Sequence, residues 1–364
     1  MKNYHMFIPN YTIGVDCYKE IPYVTRRYGK KAVVIGGKKA MEKTRDALLN
    51  GIVGSDVEIT DFVWYGGEAS YENADIIMQM DCVKDADMIF AVGGGRALDT
   101  CKIVKDKMDK PMFTFPTLGS NCSASTSIAV IYKPDGTLNN YFYATTPPEH
   151  VFINSKIVAE SPEDLFWAGI GDCISKELEV EIAIRNHDVS HTPMMGRQMS
   201  KICIDPIVKY GKKAYEDCKN NEVSFEIEQV ALDILISTGF ASNFTTTEDD
   251  YYYNSSLAHA FYNGTTVIPN CAHNHLHGEI VSFGSLVLLT YDKQYEQLEK
   301  LMNFQKEMGL PLTLQDMDIT YEDLDAIAER ASVTREWTCV PYEVTKEKFI
   351  AAIKECDEIG KKFK

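Results

Sequence analysis

The sequence predicts an α/β N-terminal domain, residues 1–160, followed by an all-α C-terminal domain, residues 161–364. Three observations carry this reading. Short apolar runs alternate with helical stretches through the first half, and two of those runs end in glycines. After Ser161-Pro162 the pattern changes to long helical segments with few β-branched runs.

Taken in order, Ala32-Val33-Val34-Ile35 is a buried strand ending at Gly36-Gly37, and Lys39 to Asn50 is helical. Val57 to Trp64 alternates as a half-exposed strand does, and Tyr71 to Val83 returns to helical spacing. Met88 to Val92 is a second buried strand running into Gly93-Gly94-Gly95. Ala97 to Met108 is again helical, and Pro111 to Phe115 is a strand. Strands separated by helices imply a parallel sheet, whose ligands bind beyond the carboxyl ends of the strands. Ser127–Tyr132 and Asn140–Tyr143 form a hairpin turned by Pro134-Asp135-Gly136, where proline presets φ and glycine accepts φ > 0. From Glu163 onward the chain is helical, with Asn243–Ser256 its most irregular stretch.

Composition removes several function classes. Of 364 residues 45% are apolar and 25% charged, which excludes a disordered chain. The net charge of −16, from 37 basic and 53 acidic residues, argues against nucleic-acid binding, which needs clustered cations. No apolar run approaches the roughly 18 residues of a membrane span, and the first ten residues contain no signal-peptide core. Ten cysteines without a C-x-x-C pair predict a reduced, cytoplasmic protein whose cysteines are mostly small buried hydrophobes.

Two clusters carry chemistry. Gly93-Gly94-Gly95-Arg96-Ala97-Leu98-Asp99 follows a buried strand and opens a helix, where free N–H groups and the positive end of the dipole receive a phosphate. By itself this is equally a structural turn. The next strand, however, ends in a hydroxyl-rich loop, Thr117 to Ser127, and two such loops at adjacent strand ends predict a nucleotide pyrophosphate site. The second cluster comprises Asp172, at the head of an apolar helical pattern, and four of the eight histidines, His259, His273, His275 and His277, within 19 residues. Asp172 read alone is a helix N-terminal carboxylate, and the histidines are either surface and core residues or part of a metal site. Imidazoles with one carboxylate suit a catalytic zinc that keeps an open fourth position.

In order along the chain, these residues resemble the iron-containing and glycerol dehydrogenase-like alcohol dehydrogenases. Gly93–Asp99 resembles that family's GGGKxxD loop, and Pro116-Thr117 through Ile131-Tyr132 resembles its second cofactor loop. Gly169-x-Gly171-Asp172, His259-Ala260-x-x-Asn263-Gly264 and His277-Gly278-Glu279 resemble its metal motifs, and Phe283-Gly284 follows as expected. The likeness runs from Tyr11 to about Leu289. It implies a dehydroquinate synthase-like fold with the metal in the cleft between the domains, and it implies Asp172, His259 and His277 as metal ligands acting catalytically through the metal. It implies NAD or NADP held by Gly37, Lys38, Gly93, Gly94, Gly95, Arg96, Asp99, Thr117, Ser120, Thr126, Ile128 and Tyr132, and a homo-oligomer acting on a small molecule, with no nucleic acid or membrane partner.

Departures from the family pattern narrow the expectation. Where the iron-dependent branch has a histidine four residues after the aspartate, this chain has Lys176, so three ligands remain and zinc is expected rather than iron. Cys122, beside Asn121, replaces the aspartate of the glycerol dehydrogenases. A similar cysteine occurs in hydroxycarboxylate dehydrogenases, so the expected reaction interconverts a 2-hydroxy acid and a 2-oxo acid. A polyol dehydrogenase acting on glycerol is the alternative, and a non-catalytic nucleotide-binding protein the alternative of another class. Lys38 and Lys39 stand where NAD-strict members often carry an acid, so NADP should be tolerated, unless both lysines are simply solvated helix residues. Arg96 replaces a lysine, and the His259–His277 interval is one residue longer than in glycerol dehydrogenases. His273 and His275 are left either as substrate or proton-relay groups or as exposed loop histidines.

Overall fold

The structure is a computed structural model and describes residues 5–133 and 137–364. The chain forms two compact units, Met1–Phe166 with Ala214–Asn243, and Trp167–Lys213 with Phe244–Lys364. Residues 214–243 thus cluster with the first unit although they follow the change in pattern at residue 161.

The first unit is built on a six-stranded parallel sheet. Its strands are β1 (Asn10–Ile13), β2 (Lys31–Gly36), β3 (Glu58–Trp64), β4 (Met88–Gly93), β5 (Met112–Pro116) and β8 (His150–Ile153), ordered β1-β8-β5-β4-β2-β3. Strands β4, β5 and β8 are buried along their whole length, and β2 is buried from Ala32 on. They are covered on both faces, and so their sequences are continuous apolar runs. Phe90, Phe113, Phe115 and Phe152 form the centre, with Phe115 stacked on Phe152 at 5.0 Å. β3 is an edge strand, which explains its alternating pattern. The two strands the sequence pattern does not mark, β1 and β8, have only four residues each.

Helices α1 (Lys38–Gly51), α2 (Tyr71–Met78) and α3 (Gly95–Met108) connect the strands. The helix expected over Tyr71–Val83 is broken: Met80 is extended, with ψ 131°, and a short helix restarts over Asp81–Lys84. The break turns Val83 and Ala86 into the core ahead of β4. Strands β6 (Ile128–Tyr132) and β7 (Leu138–Tyr143) pair antiparallel as expected, whereas the Pro134-Asp135-Gly136 turn lies outside the described residues. The run Phe225–Thr245 contains a π-helical turn over Asp233–Ser237.

The second unit is helical, and among its described residues the only β-type pairing is the isolated bridge Thr246–Tyr252. The helices that bear on function are α4 (Glu163–Ile184), α5 (Leu257–Thr265) and α6 (His277–Tyr291). Ahead of α5, Thr246–Ser256 is irregular apart from that bridge. Among the described residues no helix is long and apolar enough to cross a membrane.

Candidate functional site

Three helices of the second unit bring Asp172, His259 and His277 together. Asp172 lies on α4, His259 on α5, and His277 at the first position of α6. The helix-start reading of Asp172 does not hold, because α4 begins at Glu163, about two and a half turns earlier. Backbone-to-backbone packing draws α4 and α6 together. A Cβ at Gly171 would lie 2.5 Å from the Gly278 carbonyl oxygen, and one at Gly278 would lie 1.9 Å from that of Ala168. Only glycine fits at either place, which gives the Gly171-Asp172 and His277-Gly278 pairs a steric meaning.

Asp172 Oδ1 lies 3.2 Å from His277 Nε2 and 3.6 Å from His259 Nε2, and one ligand atom from each residue lies within 4.8 Å of the others. Zinc–nitrogen and zinc–oxygen bonds of about 2.0–2.2 Å in a tetrahedron set donors roughly 3.3–3.5 Å apart, so the spacing and the donor types fit such an ion. The Asp172 side chain is 10% exposed and that of His277 is 38% exposed, so the group is buried on one side and approachable on the other.

Behind His259 stands Glu179, fully buried on α4 and not marked by the sequence pattern. His259 Nδ1 donates to Glu179 Oε2 at 2.6 Å, while Oε1 accepts from the backbone N–H groups of His259 (2.9 Å) and Ser256 (2.7 Å). With Nδ1 carrying the proton, Nε2 keeps its lone pair on the Asp172 side, the arrangement typical of a metal-bound histidine with a carboxylate behind it. Burial favours neutral forms, but opposite charges prevail here. His277, His259 and Lys176 hold the Asp172 carboxyl below its usual range, and His259 does the same for Glu179. His259 is raised despite burial, because Glu179 and Asp172 face it. The signal that would have revealed Glu179 is an acidic residue seven positions, two turns, after Asp172 in an apolar helix.

The other histidines part company with the group. His273 is exposed on the short helix Pro269–Asn274, and His275 pairs with Glu279 at 2.8 Å and Asp318 at 3.2 Å. Glu279 also accepts from the Leu276 N–H at 3.0 Å, so this pair secures the entry to α6. The Tyr262 and His277 rings meet nearly at right angles, centroids 4.2 Å apart.

In the first unit the two loops abut. Gly93 ends β4 with φ +142°, a conformation that favours glycine, and Gly94 caps α3, so the N–H groups of Gly95 and its neighbours lie at the N-terminal end of the helix, where they have no intrahelical acceptor. The Gly37 N–H donates to Val92, the Thr117 N–H to Gly93, and Asn121 lies over Gly95 and accepts from the Ser123 N–H at 3.0 Å. Cys122 leads into the 3-10 turn Ser123–Ser125. Arg96 pairs with Glu68 at 3.3 Å and lies 5.7 Å from the centroid of the Tyr132 ring, while Lys38 lies 4.2 Å from the Trp64 ring. Ser120 is half-buried on the same loop. Asp99, Thr126 and Ile128 belong to a buried network centred on Lys102. Its ammonium donates to Asp99 (2.9 Å), Ser123 (3.2 Å), Thr126 (2.9 Å) and the Ile128 carbonyl (2.7 Å), and Asp99 also accepts from Ser123 and Val130. This network holds the loop to α3 from within. The π-helical turn and the helix Thr238–Thr245 after it add to this: Ser125 Oγ donates to the Leu235 carbonyl, and the Asn243 side chain accepts from the Ser127 N–H and donates to the Ser125 carbonyl.

Comparison with known proteins agrees with these features. The iron-containing alcohol dehydrogenase family matches residues 9–155. A glycerol dehydrogenase of Thermotoga maritima is 30% identical over 308 residues, covering 82% of this chain and 81% of its own length. Hydroxycarboxylate dehydrogenase A of Escherichia coli is 26% identical over 278 residues, 75% of each chain. The crystal structure of glycerol dehydrogenase from Schizosaccharomyces pombe superposes with a TM-score of 0.87 at 25% identity, covering all of this chain and 92% of that one. The chain belongs to the iron-containing alcohol dehydrogenase family.

Proposed function

We propose that the protein is a metal-dependent, NAD(P)-linked oxidoreductase that interconverts a small alcohol and its carbonyl, with a 2-hydroxy acid and 2-oxo acid as the substrate pair. The observation that carries the metal dependence is the convergence of Asp172, His259 and His277, with Glu179 behind His259. Asp172, His259 and His277 would hold the ion, and zinc suits two imidazoles and one carboxylate. When bound, a divalent ion supplies Lewis acidity toward the reacting oxygen, and a nicotinamide supplies or accepts hydride.

The chain's own residues do the rest. Glu179 fixes the His259 tautomer and orients its ring, and Glu279 fixes the start of α6 and hence His277. Asp172 offers its carboxylate without a competing lysine or arginine ion pair among the described residues. In the first unit the glycine turn offers backbone N–H groups to a pyrophosphate. Lys38, above Trp64 at the end of β3, presents a cation suited to the 2′-phosphate of NADP. Asn121 and Cys122 sit on the loop anchored through Lys102, and an uncharged Cys122 repels an anionic substrate less than an aspartate does. His273 is exposed and remains a candidate substrate contact. Ten thiols without a disulfide suit a reducing, cytoplasmic setting, and we assign a homo-oligomeric state by analogy with the family.

A second reading, an NAD-dependent glycerol dehydrogenase, is favoured by the 30% identity to the Thermotoga protein. One assay separates the two. The zinc-loaded protein is followed by nicotinamide absorbance with 2-oxobutyrate and 2-oxoglutarate in one direction and glycerol in the other, with and without chelator. Chelator-sensitive oxidation of NADPH or NADH by the oxo acids, with little glycerol activity, supports the first reading. Glycerol-dependent NAD reduction alone overturns it.

A further inference from the structure

Lys176 is the least explained charge in the second unit. It lies one turn after Asp172 on α4 and is only 4% exposed. Its ammonium donates to the Asn254 carbonyl at 3.0 Å and to Asn254 Oδ1 at 2.6 Å. Among the described residues no carboxylate comes within ion-pair distance of it, and one of its three N–H donors has no protein acceptor. A buried cation matched only by a neutral amide is costly, and natural proteins bury charges in pairs. The position is also close to the chemistry, because the charge of Lys176 acts on both Asp172 and His259.

The charge balance says what is missing. With both imidazoles neutral, the Asp172 and Glu179 carboxylates offset a divalent ion, and Lys176 leaves one positive charge over. A polyol brings nothing to neutralise it, whereas a carboxylate does. Resting on the substrate reading above, we infer that Lys176 is a specificity-determining residue: the carboxylate of the 2-oxo or 2-hydroxy acid is the counter-ion that this buried ammonium lacks. A local cation also explains how a chain with net charge −16 would accept an anion, since short-range pairing in a buried site outweighs the screened field of the surface.

The test uses full-length, zinc-loaded protein and three variants. Lys176→Met removes charge and tether, Lys176→Gln keeps a hydrogen bond toward Asn254 without charge, and Lys176→Arg keeps charge. Oxamate, an unreactive 2-oxo acid isostere, is titrated calorimetrically, and KM and kcat are measured for 2-oxobutyrate and for uncharged hydroxyacetone. We expect Met and Gln to weaken oxamate about 10- to 100-fold, the loss typical of one charge-assisted contact. KM for 2-oxobutyrate rises in parallel, KM for hydroxyacetone stays within about twofold, and Arg recovers part of the oxamate affinity. If Gln binds oxamate as wild type does, or if hydroxyacetone and 2-oxobutyrate suffer equally in Gln, Lys176 only tethers the Asn254 segment and the assignment is overturned. Wild-type protein that oxidises glycerol, yet neither binds oxamate nor turns over 2-oxobutyrate, overturns the substrate reading itself. Because Gln preserves the tether, it decides the matter even where Met fails to fold.

Discussion

In each compact unit a buried lysine, Lys102 in the first and Lys176 in the second, lies near the cluster of chemical residues, and the two are treated in opposite ways. Lys102, fully buried on α3, has an ionic partner in Asp99 and three oxygen acceptors besides, so its charge is spent on joining the loop Ser123–Ile128 to the helix. Lys176, almost as buried on α4, has Asn254 alone. The first pattern is what a structural charge looks like: every donor is satisfied inside the protein. The second leaves a donor and a charge for something that arrives from outside. Burial without a carboxylate partner does not by itself mark function, since Lys105, also buried on α3, donates only to Thr146; what sets Lys176 apart is its place one turn after Asp172.

The opposite treatment of the two lysines has a functional meaning only if the metal binds in the second unit. Asp172→Ala should cut kcat/KM by about a thousandfold or more and leave no stoichiometric zinc by elemental analysis. Full zinc occupancy with normal turnover would end the metal assignment. Next in size is the structural lysine. Lys102→Met strands Asp99 as a buried carboxylate, and chemical denaturation should show a loss of about 3–5 kcal/mol. Lys176→Met, which strands no carboxylate, should change stability by less than about 1 kcal/mol. Equal losses would erase the distinction between the two sites.

Glu179→Gln should weaken zinc about 10- to 100-fold in a chelator competition, because the partner that fixes the His259 tautomer becomes an amide. Lowering pH should act in the same direction. His259 in the metal-free protein is held above its ordinary value by Glu179 and Asp172, against the effect of burial, so a proton competes with the ion there. Zinc affinity measured from about pH 8 down to pH 6 should fall progressively, and an affinity flat with pH would remove His259 from the ligand set. The smallest change expected is Lys38→Ala, which should raise KM for NADPH about two- to fivefold and leave that for NADH unchanged.

Much of this architecture is legible in the amino-acid sequence. The buried strands β2, β4 and β5 declare themselves as unbroken apolar runs, and α1 and α3 as helical stretches between them, because local periodicity reports local burial. The motifs around Gly93, Asp172, His259 and His277 are legible as residue types and spacings. The strands β1 and β8 are not, since four residues give too short a pattern, and the break at Met80 is hidden because helix continuity depends on what the next turn must pack against.

Local chemistry along the chain thus determined the parallel α/β first part and the helical second part, the glycine turn after β4, and the residue types suited to hold a metal. Tertiary structure alone decided which carboxylate stands behind His259, why glycine is required at 171 and 278, and that Lys102 has a carboxylate partner where Lys176 has a neutral amide. Those facts depend on distances between residues 80 positions apart in the chain, such as Glu179 and His259, and a one-dimensional pattern does not encode which distant groups complete one another.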